Sequence, residues 1–417
     1  MLPKVLDHLA PAASVKTSRR AFLVASAAAA GAFVIGFGAA PARAATGAAV
    51  SAAPAPFDAY LKIAADGKVT ILSSQFDMGQ GSYHGLATLV NEELGAAWDQ
   101  ITVEGATGDL SLYGNIVWGG AVQGTGGSSS MTTSFDRYRK AGAAARMMLV
   151  DAAAKDWDVP ATEVAVKDGR LAHASGKSAG FGEMAAKAAL LPVPQNVPLK
   201  GRNDWTLIGN GDLRRYDSKA KTDGTHPFTI DVVLPGMLTA VMIHPPKFGA
   251  VVKSFDATKA KAMKGVVDVV ATPRGLAVVG EHMWAALAAR DAVTVTWDEA
   301  KAETRGSAAI LAEYEKRAQD KPQATARSDG DATKALAGAA KTVEATFRFP
   351  YLAHAAMEPL NAVARMNANG TLELWAGHQL PGLYQAIAAG IAGIKPEKVA
   401  LHIMKTGGGF GRRGTPD

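Results

Sequence analysis

Three glycine-rich segments, far apart in the sequence, constrain this 417-residue chain most. The first is Ser-Gln-Phe-Asp-Met-Gly-Gln-Gly-Ser-Tyr-His-Gly, residues 74–85, where Gly79 and Gly81 flank Gln80. It follows a strand-like run at 69–72 and precedes a helix-like run at 86–94. Free N–H groups at a helix mouth, with glycines allowing close approach, form a ready anion site. The second, residues 124–130, sets Ser128, Ser129 and Ser130 beside Gly127 and other glycine amides, ahead of a strong helix pattern over 136–157. The third, residues 407–413, closes a strand-like run. It carries Gly409, Phe410 and Gly411, with Phe410 able to stack and Arg412 and Arg413 able to pair with phosphate. Taken alone, the first two have plain alternatives: a turn for the first, a flexible linker for the second. Together they suit a long ligand with phosphate and ring parts better than a mononucleotide. None has the lysine of a P-loop, and no His-Glu-x-x-His, Gly-x-Ser-x-Gly or EF-hand pattern occurs.

A dinucleotide fold is the rival for the first segment. Gly79, Gly81 and Gly85 follow a strand, and Glu104 ends the next one, where a ribose-binding acid would sit. Against it, Ser73, Ser74 and Gln75 interrupt the strand before the loop, and the later elements read without a βαβ rhythm. His84, His354 and His378 read as packing or hydrogen-bonding histidines rather than metal ligands, and Asp77 as a turn-forming residue.

The chain contains no cysteine, so it holds no disulfide, thiolate metal site or iron–sulfur cluster of its own. Residues 1–44 read as an export signal. A charged start with Lys16, Arg19 and Arg20 leads into an Ala/Gly-rich apolar stretch, 21–40, and then Ala-Arg-Ala at 42–44. Thr-Ser-Arg-Arg-Ala-Phe-Leu, 17–23, resembles the twin-arginine signal. The expected localisation is periplasmic, or membrane-anchored if the signal is retained. Without residues 1–44 the formal charge of +6 falls to 39 basic against 37 acidic residues, which gives no support for nucleic-acid binding.

The element pattern is α+β. Residues 45–200 alternate strand-like and helix-like runs, with 123–134 as a loop and a proline-rich linker at 191–201. Residues 201–300 form a second domain of short strands, among them 228–234. Residues 301–340 form a helical, flexible connection. A third segment, 341–417, has a helix expected at 381–392 and stops just after a glycine loop, which suggests a truncated frame or a fragment.

Nine segments together carry a resemblance. They are 77–81, 89–94, 125–130, 138–149, 244–250, 284–298, 354–364, 375–381 and 407–413. The chain resembles the molybdopterin-binding large subunit of the xanthine dehydrogenase/aldehyde oxidase family, in the branch typified by the isoquinoline 1-oxidoreductase beta subunit. The resemblance implies an α+β fold in which molybdopterin-binding segments flank an α/β hammerhead domain, here 201–300. It implies molybdenum held by molybdopterin cytosine dinucleotide without a protein thiolate. The reaction it implies is oxidation of an N-heteroaromatic compound or aldehyde with oxygen from water. The implied partners are a small 2Fe-2S subunit, which takes the electrons, a cytochrome c electron acceptor and the small-molecule substrate.

By the same resemblance Gly79, Gln80 and Gly81 match the loop contacting the pterin and its phosphate. Gly127, Ser128, Ser129 and Ser130 match a loop around the dinucleotide phosphates. Gln379 matches a glutamine that hydrogen-bonds a terminal oxygen ligand of molybdenum. Gly409, Phe410, Gly411 and Arg412 match the loop beside the metal, and Glu358 matches a glutamate near the active-site entrance. The first loop precedes the hammerhead, an order this branch shares. The family's general-base glutamate has no counterpart before Asp417, so the isolated chain is expected to be inactive. Two alternatives stand beside this: a non-catalytic fragment, and a periplasmic protein that binds a small heterocycle without metal.

Overall fold

The computed structural model describes residues 33–35, 60–106 and 110–416. The twin-arginine pair and the Ala-Arg-Ala site lie outside them. The chain divides into two compact units, Met1–Val232 with Ala355–Pro416, and Val233–His354.

The first unit opens with a four-stranded sheet, β1 (Phe33–Ile35), β2 (Leu61–Ile63), β3 (Val69–Ser73) and β4 (Ile101–Gly105), in that order. The β1–β2 and β2–β3 pairs are antiparallel, but β3 and β4 run parallel. A parallel pair needs a crossover, and helix α1 (Ser82–Leu94) supplies it. Leu86, Leu89, Val90 and Leu94 of α1 are buried at helical spacing. Gly95, with φ +78°, ends the helix in the left-handed conformation.

Helix α2 (Ser130–Trp157) packs along α1. Their backbones approach so closely that a Cβ on Gly142 would overlap the Val90 carbonyl oxygen. The meander β5 (Ala165–Lys167), β6 (Arg170–Ala172), β7 (Ser178–Gly180) and helix α3 (Phe181–Ala188) complete this core.

The proline-rich stretch at 191–201 has no regular element, yet Leu191, Val193 and Val197 pack on the core. Residues 201–232, expected in the middle domain, fall in the first unit. Two buried carboxylates of α1 explain this. Glu92 accepts from Lys200 Nζ (2.9 Å) and from the backbone N–H groups of Thr206, Leu207 and Ile208 (3.0, 2.7 and 3.0 Å). Glu93 accepts from Arg139 Nη2 (2.7 Å), and that guanidinium also packs over Phe135 and Trp205. The run 228–234, expected as a strand, instead makes a 3-10 turn at Thr229–Asp231 just before Pro235-Gly236.

In the second unit, β8 (Thr239–Ile243), β10 (Val266–Thr272) and β11 (Gly275–Gly280) form one antiparallel sheet, and β9 (Val251–Asp256) pairs with β12 (Thr294–Asp298). Helix α4 (Met283–Arg290) lies against β8 and β11. Helices α5 (Ser307–Ala318) and α6 (Ala332–Ala337) follow, with no buried residue in either.

The chain then rejoins the first unit with β13 (Ala362–Met366), β14 (Leu372–Ala376), helix α7 (Pro381–Ala392) and β15 (Val399–Ile403). Strands β14 and β15 are parallel, so α7 is a second crossover. The first unit thus contains two βαβ turns that the sequence did not reveal.

Candidate functional site

Loops at the carboxyl ends of parallel strands are where open sheets receive ligands. Strands β3, β14 and β15 each lead into such a loop, at 74–81, 377–380 and 404–411.

The first loop is shaped from within. Asp77, 1% exposed, accepts from Gly79 N (2.9 Å), closing a turn, and from Tyr83 N (3.1 Å) in the first turn of α1. Gln80 folds back on its own loop. Its Oε1 accepts from Met78 N (2.6 Å) and its Nε2 donates to the Phe76 carbonyl (2.8 Å). The surface this loop offers a ligand is therefore backbone rather than the Gln80 amide. Gly79 has φ +103° and nothing within 4 Å of where a Cβ would stand, so the backbone is open to close approach.

The second loop leads into α2, which starts at Ser130 and makes residues 130–134 helical rather than loop. Ser129 Oγ donates to the Gly126 carbonyl (2.7 Å) and accepts from Asn115 Nδ2 (2.7 Å). Ser130 Oγ donates to Gln75 Oε1 (3.0 Å), tying this loop to the first. Ser128 is exposed, with φ +55° beside Gly127 at +57°. The Trp118 indole lies against Gly124, Gly126 and Gly127.

In the third loop Phe410 stands at the tip, 76% exposed and at φ +53°, between Gly409 and Gly411. Arg412 N donates to the Gly409 carbonyl (2.9 Å). Arg413, expected to face phosphate, is fully buried and turned inward. It donates to the Gly408 carbonyl (2.8 Å), the Glu358 carbonyl (2.8 Å) and Glu358 Oε2 (3.0 Å). Glu358 Oε2 also accepts from Gly407 N (2.8 Å), so this pair braces the glycine run.

The second and third loops meet at Gln379, and the first joins them through residues 404–411. Thr125 N donates to the Gln379 carbonyl (3.0 Å), Gln379 Nε2 to the Thr125 carbonyl (2.8 Å), and Gln379 N to the Arg413 carbonyl (3.0 Å). Thr406 N donates to the Asp77 carbonyl (3.2 Å), and Met78 packs on the Gly409 backbone. Gln379 is 8% exposed, and its Oε1 finds no protein partner.

A brace of five charges, missed in the sequence, stands behind the first and third loops. Asp217 accepts from Arg215 Nε (3.2 Å), Lys221 Nζ (2.8 Å) and Lys405 Nζ (3.1 Å). Lys221 also reaches Asp77 Oδ1 (3.3 Å), and Arg215 Nη1 donates to the Gly79 carbonyl (3.0 Å). Burial would raise the Asp217 carboxyl, but the hydrogen bonds from Lys221 and Arg215 and the Lys405 charge outweigh it and hold it well below the ordinary range. Burial pulls the Lys405 ammonium down, against the opposing pull of Asp217. The only sequence signal was the Asp217/Lys221 spacing on a single helical turn, Ser218–Thr222.

Among the described residues no cluster of three or more His, Cys, Asp or Glu is placed to hold a metal ion. His84 stacks on Tyr216 at 6.4 Å, and His354 is exposed in the second unit. The donor set nevertheless fits a large pterin-type cofactor. It offers open glycine backbone at Gly79 and Gly411, the mouth of the 28-residue α2, and a buried acceptor at Gln379 Oε1.

Comparison with known proteins decides the family. Models of the molybdopterin cofactor-binding domain match residues 12–235 and 316–416. The chain belongs to the molybdopterin cofactor-binding family. The beta subunit of isoquinoline 1-oxidoreductase from Brevundimonas diminuta is 32% identical over 97% of this chain and 57% of its own length. One of the subunits of nicotinate dehydrogenase from Pseudomonas putida is 28% identical over 86% of this chain and 30% of its own. A protein of Gluconacetobacter polyoxogenes, named membrane-bound aldehyde dehydrogenase [pyrroloquinoline-quinone], is 31% identical over 85% of this chain and 46% of its own. The chain therefore spans about half the length, or less, of these curated relatives.

Proposed function

We propose that this chain builds part of the cofactor cradle of a molybdenum hydroxylase that oxidises an N-heteroaromatic compound or an aldehyde. The observation that carries the proposal is the convergence of the three glycine loops, two of them joined at Gln379, whose buried Oε1 has no protein partner. The cofactor, in its cytosine dinucleotide form, supplies the redox chemistry by which oxygen from water enters the substrate. The backbones of Gly79 and Gly81 would hold its pterin, and Gly127 with Ser128 and the mouth of α2 would hold its phosphates. Ser129 and Ser130 set that loop's shape through Gly126 and Gln75 rather than by direct contact. Gln379 presents an acceptor, Phe410 an exposed ring for an aromatic substrate, and Glu358 keeps the third loop in place through Gly407 and Arg413. Gly409, Gly411 and Arg412 complete that loop, which would lie beside the metal. A 2Fe-2S small subunit would take the electrons and hand them to an acceptor such as a cytochrome c.

Metal and nucleotide analysis of the purified holoenzyme tests this proposal. Molybdenum and releasable CMP in equal amounts are expected. Absence of both sinks it, and heterocycle binding by metal-free protein would favour a binding protein instead. The proposed export is periplasmic, by the twin-arginine route. N-terminal sequencing of the exported protein checks it: a start after Ala44 supports a cleaved signal, and an intact start supports a retained one.

A further inference from the structure

His378 is 1% exposed, and neither Nδ1 nor Nε2 has a hydrogen-bond partner in the protein. Its ring is packed edge-on to Phe76 at 5.5 Å and against Tyr384 at 4.7 Å. Phe76 belongs to the first loop, where its carbonyl accepts from Gln80 and Ser82 and its N–H donates to Thr125 Oγ1 (2.8 Å). Tyr384 donates to the Arg413 carbonyl (3.2 Å) in the third. The imidazole therefore sits inside the junction of the loops, one residue before Gln379.

A buried polar atom left unmet is destabilising, whereas an apolar ring of similar shape carries no such cost. With aromatic rings on two sides, phenylalanine would fill this position without that cost. A bound group that takes the imidazole's hydrogen bond would offset that cost. Burial lowers its pKa to about 4, so the ring is neutral at pH 7, with one donor and one acceptor.

We propose that His378 is a positioning residue that hydrogen-bonds the heterocyclic edge of the cofactor held at Gln379. This rests on the molybdopterin reading. The chemistry favours the pterin over a phosphate. A neutral imidazole beside a carbonyl acceptor suits a ring edge with both N–H and lone-pair groups, whereas phosphate brings only acceptors and would face Gln379 Oε1 unfavourably.

The test compares His378→Phe and His378→Asn with the wild-type holoenzyme, reading melting temperature, molybdenum and pterin content and the rate of cofactor loss. His378→Phe is expected to melt at or above the wild-type temperature once the cofactor is removed, yet to release cofactor about 10- to 100-fold faster. His378→Asn should recover most of the retention. Wild-type retention in His378→Phe overturns the proposal and leaves His378 a packing residue. Should the variants not fold, the nitrogen resonances of His378 in labelled wild-type protein decide. They must move between the cofactor-loaded and cofactor-free forms, and unchanged resonances overturn the proposal. Wild-type protein without molybdenum or CMP would instead fail the molybdopterin reading itself.

Discussion

Arg413 and Glu358 form a buried pair whose two ends are not equivalent. Arg413 makes three bonds from a fully buried guanidinium, two of them to carbonyl oxygens. Arg413→Met would leave Glu358 as an unpaired, nearly buried carboxylate, at a cost of about 3–5 kcal/mol. Glu358→Gln keeps an acceptor for Gly407 N and Arg413 and should cost less than half as much. Urea unfolding of the two variants measures the difference, and equal losses would show that the charge pairing, not the hydrogen bonds that Glu358→Gln retains, carries the stability. Arginine after a glycine run read in the sequence as a phosphate partner. Nothing local says whether such a side chain turns outward or inward, because its partner lies 55 residues away in sequence. The same blindness applies to Gln80, whose partners Phe76 and Met78 were in plain view but whose rotamer was not.

At the scale of elements, the glycines of α2 and α7 behave oppositely. Gly142 lies where α2 touches α1, so Gly142→Val must push the helices apart and should cost about 2–3 kcal/mol. Gly390 in α7 has nothing within 4 Å of a Cβ, so Gly390→Ala should stabilise by about 0.5–1 kcal/mol. Thermal melts of both check the pair, and a shift of the same sign for both would contradict this packing. Helix α7 was legible to the residue, since Pro381 opens it and Gly393 closes it in the left-handed conformation. The start of α2 was not, because Ser130, Thr132, Thr133 and Ser134 are poor helix formers, held in the helix by contacts such as Ser130 to Gln75. The turn at Thr229–Asp231 was misjudged for a related reason. Its apolar run has strand composition, but Phe228 N caps onto Asp231 Oδ2 (2.8 Å) and the chain turns. The parallel pairing of β3 with β4 and β14 with β15 is a long-range property that no local pattern encodes.

For the whole molecule, the five-charge brace links residues 77, 215–221 and 405, and so ties the start, middle and end of the first unit. The depressed Asp217 carboxyl contributes stability that is full above its unfolded value of about 3.9 and is lost as the pH falls below it. Asp217→Asn should cost roughly 2 kcal/mol at pH 7 and narrow the gap from wild type as the pH drops toward 2. Unfolding curves at pH 7, 4 and 2.5 show this, and a gap that is constant with pH would mean that the aspartate is not charged in the fold.

The second unit is an insertion, with Val233–His354 emerging between the two parts of the first. During synthesis the first two loops are made early, but Gln379 and the third loop follow only after the whole insertion. Closing so long a loop adds little entropy, since the cost grows only with the logarithm of its length, but it imposes an order in time. The cradle can be assembled only after residue 413 has left the ribosome, so cofactor uptake waits until the inserted unit has been made in full.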